Sequence, residues 1–293
     1  MYYEYLLGNS SRAYRDFEIA LYHEQKRWSG QQFLVSRSGN QQAEFFIRFQ
    51  AWKQFETVNA WNIHRCEKNR WRDKLAVSHL LQGWYEICRG QLSQAETSLA
   101  QAERILRSSS IVERICRLDW VWALLAEAKG ENEEGLQRVN DALFTAADKG
   151  FRLWQADLLV LRGRLRLGMA KSNLGMTISQ VSQNPAAQVG LHSASDLLEQ
   201  AGDDAHETLK IAEQTGYIWP KVEALELLAA YHQTRAGFPA FNAQDEKDKA
   251  QSHANEAASI KKDLFLTEEQ MQELKAQARQ EFEKQIAGWK KEL

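Results

Sequence analysis

The chain has 293 residues, which can bury a substantial core as one elongated domain or as two compact ones. Only three prolines occur among many Ala, Leu, Glu, Gln, Arg and Lys residues, so the composition predicts an all-α protein. The 37 Lys and Arg residues nearly balance the 39 Asp and Glu residues. This balance excludes a global electric field that would draw the protein to nucleic acid or to a membrane surface.

The sequence carries no targeting signal that we recognise. The start MYYEYLLGNSS lacks a basic stretch followed by an apolar run, and no run of apolar residues is long enough to span a membrane. These features predict a cytoplasmic protein without a membrane partner. Cys66, Cys88 and Cys116 lie more than twenty residues apart, a spacing that fits neither paired disulfides nor a zinc site, so we expect reduced, buried thiols.

The opening stretch indicates the second half of a helical hairpin. A turn at Gly8 is followed by Ala13, Phe17 and Ala20, a small, large and small residue on one helical face. A related but degenerate unit follows, in which Ala51, Phe55 and Val58 keep this spacing without a turn glycine. The chain therefore opens on what looks like an interrupted repeat.

Two stretches in the middle of the chain repeat each other. Each has a small residue in a first helix, a turn glycine, and a small, large and small residue in a second helix, which lets the two helices approach closely. At a spacing of 40 residues, these positions are Gly83, Gly90, Ala95, Leu99 and Ala102 in the first stretch, and Ala123, Gly130, Gly135, Val139 and Ala142 in the second. Similar triplets follow at Ala205, Leu209 and Ala212 and at Ala250, Ala254 and Ala257.

This pattern resembles the tetratricopeptide repeat, whose second helix also carries small residues around a large one. The resemblance covers most of residues 1–260, but the period is about 40 and not 34, and the closing proline is missing. The stretch LAEAKGENEEGLQRVNDALFTAADKGFRLWQADLLVLRGRL is most similar to the degenerate repeats of STAND-type signalling ATPases and maltose-activator-like regulators. The resemblance implies a sensor arm. It leaves open whether the chain is part of a larger protein or a standalone adaptor.

Two further segments complete the predicted architecture. Residues 168–196 are rich in Ser, Asn, Gln and Gly and predict a long loop, which could be disordered or could bind a ligand. The segment after Thr267 predicts an amphipathic helix, because Thr267 and Gln270 form a capping box and the apolar positions make one stripe. That stripe comprises Met271, Leu274, Ala278, Phe282, Ile286 and Trp289. We expect this helix to cap the last repeat, with docking onto a partner as the alternative.

Motifs for catalysis or metal binding find no support. Gly163 and Gly168 precede Lys171 and Ser172, but two residues separate the second glycine from the lysine, so no P-loop results. The seven histidines show no HxH, HxxxH or HExxH spacing. The segment HRCEKNRWRDK (64–74) mixes Arg and Trp with Glu67 and Asp73, and we interpret it as a solvated linker and not as a nucleic-acid site. We therefore predict no catalytic, cofactor-binding or metal-binding residues.

Taken together, the sequence predicts a right-handed, tetratricopeptide-like α-solenoid of about five hairpins over residues 1–262, with a capping helix over 263–293. Its function is predicted to be non-catalytic binding of a peptide or protein in a concave groove, within a signalling assembly. Arg and Trp are frequent at binding hot spots, so the groove candidates are Trp84, Arg117, Trp120 and Arg164. The two tryptophans can equally fill the core between repeats. A small-molecule sensor, with its ligand between the groove and residues 168–196, is the alternative.

Overall fold

The computed structural model describes residues 2–27, 32–108, 111–178, 185–238 and 241–292. Over these residues the chain forms α-helices and no strand, so the all-α prediction is confirmed. Two compact units result: unit 1 comprises Met1–Ser110 with Leu264–Leu293, and unit 2 comprises Ile111–Asp263. Within the described ranges, every helix is too short or too polar to cross a bilayer.

The helices are numbered in chain order. Unit 1 contains α1 (Tyr2–Leu6), α2 (Ser10–Arg27), α3 (Ser36–Arg48), α4 (Trp52–Lys68), α5 (Arg72–Cys88), α6 (Leu92–Leu106) and the terminal α13 (Glu268–Glu292). Unit 2 contains α7 (Val112–Lys129), α8 (Asn132–Asp148), α9 (Arg152–Ile178), α10 (Pro185–Thr215), α11 (Ile218–Arg235) and α12 (Ala243–Leu264). Consecutive helices pack in pairs, among them α3 with α4, α5 with α6, α7 with α8 and α9 with α10.

The turns between helices follow a regular spacing. Six successive helices, α4 to α9, begin twenty residues apart, at Trp52, Arg72, Leu92, Val112, Asn132 and Arg152. The predicted turn glycines Gly90 and Gly130 have positive φ angles of 72° and 79°, as the helix-to-helix link requires. Two equivalent turns use a non-glycine residue in the same left-handed conformation, Gln50 (φ 54°) and Arg70 (φ 58°). The 40-residue sequence period is therefore two helices whose starts are twenty residues apart.

A shared hydrogen bond closes these turns. The amide of the residue after the left-handed position donates to the carbonyl five residues earlier, as Gln91 does to Glu86 and Glu131 does to Ala126, both at 2.8 Å. Trp71 makes the same bond to Cys66 at 2.9 Å. This bond satisfies a carbonyl that the helix end would otherwise leave without a donor. The segment at 64–74 thus forms the end of α4, a turn and the start of α5, as a linker between helices was predicted to do.

The small, large and small positions of the two central repeats lie in the helix interfaces, as predicted, whereas Ala254 of the last predicted triplet is exposed. Ala95, Leu99 and Ala102 are fully buried on α6. A Cβ added to Gly83 on α5 would lie 2.7 Å from the Leu99 side chain, so only glycine permits this approach of the two helices.

Helix α4 of the degenerate hairpin α3–α4 keeps the spacing of its neighbours, but the triplet predicted in it does not. Ala51, Phe55 and Val58 are buried, as expected, but Ala51 precedes the helix. Forty residues before Ala95, Leu99 and Ala102 stand Phe55, Asn59 and Asn62. The predicted triplet is therefore four residues out of register with the true repeat, because no glycine marks the turn at Gln50.

Polar residues replace apolar ones at the centre of this hairpin. Asn59 and Asn62 are fully buried, and Asn62 Nδ2 donates to Ser78 Oγ at 3.0 Å. Ser78 Oγ in turn donates to Asn40 Oδ1 at 2.8 Å. Buried amides need such partners, and the bonds join α3, α4 and α5 in one arrangement.

The terminal helix begins as predicted but packs elsewhere. The capping box is present, because Thr267 N donates to Gln270 Oε1 at 2.8 Å and Gln270 N donates to Thr267 Oγ1 at 3.1 Å. Met271 and Ala278 are buried. The helix packs on α2, where Phe282 contacts the Tyr22 ring at 5.7 Å between centroids. The prediction that α13 covers the last repeat was therefore wrong, and the Trp289 side chain lies outside the described residues.

The predicted loop at 168–196 was also wrong over the described residues. Helix α9 continues to Ile178, and α10 begins at Pro185. Small residues let these helices pack closely, since a Cβ on Gly163 would lie 2.5 Å from the Leu227 side chain and 3.2 Å from the Ala201 carbonyl. Ser, Asn and Gly have low helix propensity, but packing against a neighbouring helix overrides it. Residues 179–184 lie outside the described part of the chain.

Candidate functional site

Trp84, the groove candidate in unit 1, is a packing residue. Its side chain is buried, and the Arg48 guanidinium lies 4.9 Å from the centre of its ring. The contact joins α3 to α5 and combines apolar burial with a cation–π interaction.

Arg117 and Trp120 in unit 2 meet around a residue that the sequence analysis missed. The Arg117 guanidinium lies 5.7 Å from the centre of the Trp154 ring, and the Trp120 and Trp154 ring centroids are 6.2 Å apart. Trp154 Nε1 also donates to Glu113 Oε1 at 3.3 Å. Trp120 is buried, whereas Arg117 and Trp154 are half-buried. The cluster joins α7 to α9, and a Trp at the first turn of α9 was the available signal.

Arg164, the fourth candidate, bridges three helices of unit 2. Its guanidinium forms a two-bonded ion pair with Glu127 on α7, with Nε to Oε1 at 2.8 Å, and approaches Glu223 on α11 at 3.7 Å. Burial opposes the charged form, but the two carboxylates outweigh it and raise the pKa of Arg164. A ligand carboxylate would have to compete with Glu127 for this side chain.

Two buried acids of unit 2, Asp204 and Glu246, are paired with bases. Asp204 on α10 is 3% exposed and accepts hydrogen bonds at 2.6 Å from both Arg162 and Arg166 on α9. Glu246 on α12 lies 2.6 Å from His232 Nδ1 on α11. Burial alone would raise the pKa of Glu246, but His232 and Lys249 hold it below its ordinary value. These pairs hold α9 to α10 and α11 to α12.

Unit 1 contains a cavity of about 410 Å³ between α2, α3, α4 and α13. Its volume lies in the range of small-molecule sites. Aromatic and apolar side chains form much of its wall, including Tyr14, Phe46, Leu21, Val58 and Met271. The Tyr14 and Phe46 rings meet edge to face, with centroids 6.3 Å apart.

Two buried acceptor atoms in this wall have no hydrogen-bond donor. Glu18 is 4% exposed and its Oε2 has no hydrogen bond, while Gln42 is 2% exposed and its Oε1 has none. Lys275 Nζ lies 3.9 Å from Glu18 Oε2, which makes an ion pair but is too far for a hydrogen bond. An unsatisfied buried acceptor costs about 1–3 kcal/mol, so a donor from outside the chain, a water molecule or a ligand, would stabilise both atoms.

The electrostatics of this cavity differ from those of the acid pairs in unit 2. Burial raises the pKa of Glu18, and neither Lys275 nor the Tyr14 hydroxyl brings it back to its ordinary value. Burial and the adjacent Glu18 also raise the pKa of Tyr14. The carboxyl group is therefore held in an environment that disfavours its charge. Perturbed groups in a concave site mark it as a candidate for function.

Sequence reasoning missed this cavity, although one signal was present. Glu18 follows Phe17 and stands between Tyr14 and Leu21 at four-residue and three-residue spacings, so a charged residue interrupts the buried face of α2. The packing of α13 on α2, which encloses the cavity, is a long-range contact that a single sequence does not reveal.

Comparison with known proteins gives no relative. No family model, no curated protein and no solved structure matches the chain. Among the residues that the structure describes, no three His, Cys, Asp or Glu side chains converge as metal ligands would.

Proposed function

We propose that this protein is a non-catalytic binding module whose ligand occupies the cavity between α2, α3, α4 and α13. The observation that carries the proposal is a pair of buried acceptor atoms without a hydrogen-bond donor, Glu18 Oε2 and Gln42 Oε1, on two residues that line this cavity. A protein that keeps such groups loses stability, and a bound ligand would recover that loss. The proposal adopts the small-molecule alternative from the sequence and moves its site to unit 1.

Binding without chemistry fits the groups in the wall. A nucleophile needs a base that activates it, whereas the raised pKa of Tyr14 keeps this residue a phenol. The cavity contributes shape, apolar area and hydrogen-bond acceptors, which are the elements of a recognition site.

A second candidate function is the binding of a peptide or protein on the first helices of unit 2. The half-buried cluster of Arg117 and Trp154 favours it, because Arg and Trp are enriched at binding hot spots. The regular helical hairpins, with residues of positive φ in their turns, are compatible with a right-handed tetratricopeptide-like solenoid of about five hairpins. They are also compatible with the sensor arm of a STAND-type ATPase. Arg117→Glu should then weaken partner capture. Arg164→Glu is a poor test, because it would leave Glu127 and Glu223 without their cation.

The leading proposal can be tested with a matched pair of variants. Thr57 lines the cavity, and Thr97 is its equivalent 40 residues later on α6, outside the cavity. Both are exposed, and each hydroxyl donates to the carbonyl four residues earlier, at 2.8 Å and 3.1 Å. The test screens a small-molecule library by thermal shift against wild type, Thr57→Trp and Thr97→Trp.

Ligands of the cavity should raise the melting temperature of wild type and of Thr97→Trp, but not of Thr57→Trp, whose indole covers the opening. If the library stabilises neither wild type nor Thr97→Trp, or stabilises all three proteins equally, the cavity is not the ligand site.

A further inference from the structure

The polar atoms of the cavity select the chemistry of its ligand. Glu18 Oε2 and Gln42 Oε1 are both acceptors, so the complementary group must carry at least two donors. Primary ammonium groups and guanidinium groups meet this requirement, whereas a carboxylate or phosphate would place acceptor against acceptor.

The distribution of charge favours a cation at the buried end. Four charged side chains line the cavity, and of these only Glu18 is buried. Lys53 is exposed, and Lys275, whose side chain is 50% exposed, pairs with Glu18 Oε2 only at 3.9 Å, so neither ammonium group hydrogen-bonds to that oxygen. The carboxylate is therefore the dominant charge at depth, where interactions are least screened.

The rest of the wall accepts an apolar group. Tyr14 and Phe46 offer aromatic surface, and the faces of such rings attract cations. Leu21, Val58 and Met271 offer aliphatic surface. A primary ammonium carries three N–H donors, which is enough for both buried acceptors, and its carbon body would lie against these side chains.

We propose that the cavity binds a primary ammonium group attached to an apolar body, with Glu18 and Gln42 accepting its N–H donors. This inference rests on the proposed function, since it names the ligand class of the same cavity. The ammonium has two sources, a free small amine or the amino terminus of a peptide. Both present the same group to Glu18.

Titration calorimetry at neutral pH distinguishes these sources. The probes are phenethylamine, N-acetylphenethylamine, and the tripeptide Phe-Gly-Gly with a free and with an acetylated amino terminus. Phenethylamine should bind, and its acetylated form should bind about tenfold more weakly or not at all, because acetylation removes the charge and two donors. Binding of the free tripeptide at least as tight as that of phenethylamine identifies a peptide terminus. Weaker tripeptide binding identifies a small amine.

Variants locate the binding site. Glu18→Gln keeps the shape of the side chain and should weaken the binding of phenethylamine about tenfold. Gln42→Leu should also weaken this binding. Glu273→Gln removes an exposed carboxylate of α13 outside the cavity and should leave binding unchanged. Melting temperatures show whether each variant folds. If Glu18→Gln does not fold, Gln42→Leu tests the binding site independently.

The failure of this inference is distinct from failure of the proposed function. If library ligands stabilise wild type and Thr97→Trp but not Thr57→Trp, while both free-amine probes fail to bind or bind Glu18→Gln equally well, the ammonium assignment is overturned and the cavity remains a ligand site. If no compound stabilises wild type and Thr97→Trp without also stabilising Thr57→Trp, both proposals fail.

Discussion

Buried acids have different surroundings in the two units. In unit 2, Asp204 receives two arginines and Glu246 receives a histidine, so each negative charge is matched within the fold. In unit 1, Glu18 is buried to a similar degree but one of its oxygens lacks a donor and faces a cavity. A matched acid stabilises the packing of helices, whereas an unmatched one costs stability and is available to a ligand. The same residue type therefore holds helices together in unit 2 and, in unit 1, marks the cavity that we propose as a ligand site.

The largest loss in the free energy of unfolding is expected where a buried ion pair is broken. Asp204→Asn removes the charge that Arg162 and Arg166 share and leaves two partly buried cations without it. We expect a loss of about 3 kcal/mol in the free energy of unfolding, measured by urea denaturation at neutral pH. Lys210→Gln, which removes an exposed charge on the same helix, serves as the control and should change the free energy by less than about 0.5 kcal/mol. An equally small effect of Asp204→Asn would mean that its pairing is not structural.

A smaller loss in the free energy of unfolding is expected when a side chain is added where α9 packs closely against its neighbours. In Gly163→Ala the added methyl would lie 2.5 Å from the buried Leu227 side chain. Overpacking of this kind costs about 1–3 kcal/mol, against a gain of up to about 1 kcal/mol from better helix propensity. Gly288→Ala on α13 meets no atom within 4 Å and should show only the gain. Equal stabilisation by both substitutions would contradict the close packing of unit 2.

Replacing Glu18 should raise the stability of the protein, whereas replacing Asp204 should lower it. Burial raises the pKa of Glu18, so the folded protein is penalised for carrying its charge, and this penalty grows as pH rises from below the ordinary pKa through the folded pKa. Glu18→Gln removes the penalty. The stability of the variant relative to wild type should therefore increase between about pH 4 and neutral pH. Urea denaturation at several pH values measures this difference, and a decrease over that range would show that Glu18 is a stabilising charge.

The smallest expected effect concerns the reactivity of the cysteine thiols, which can be compared between the two units. Cys66 in unit 1 and Cys116 in unit 2 are buried, and burial raises the pKa of each thiol to about 11. Cys88 is exposed, which corrects the expectation that all three cysteines are buried.

With a thiol reagent at neutral pH, native protein should show one fast thiol, lost in Cys88→Ser, and two slow ones. Asp204→Asn should accelerate the reaction of Cys116 more than that of Cys66, because its damage lies in unit 2. Three equally fast thiols, or acceleration of Cys66 alone, would contradict this assignment.

Local features of the fold were predictable from the sequence, because they depend on residues close together in the chain. The turns at Gly90 and Gly130, the buried positions around Leu99 and the capping box at Thr267 each rest on short-range geometry. The turns at Gln50 and Arg70 were missed, since these residues adopt a conformation that their type does not suggest. The end of α9 and the start of α10 were missed, within the predicted loop at 168–196, because the packing of these two helices outweighs a composition typical of loops.

The candidate site could not be predicted in the same way. The groove residues were chosen by residue type, and the structure gives Trp84, Trp120 and Arg164 partners within the fold. The cavity depends on the packing of α13 on α2, which joins residues about 250 positions apart, as the bond from Tyr22 Oη to the Lys275 carbonyl shows. The only signal of the cavity in the sequence is Glu18, a charged residue within the apolar face of α2.

The most direct test of the contrast between the units is urea denaturation of Asp204→Asn and Glu18→Gln, measured beside wild type at neutral pH. Both substitutions replace a buried carboxylate with an amide of nearly the same shape. Our account predicts that Asp204→Asn loses stability whereas Glu18→Gln does not. A loss in Glu18→Gln as large as that in Asp204→Asn would show that Glu18 is a structural acid, and the cavity would lose the feature that marks it as a ligand site.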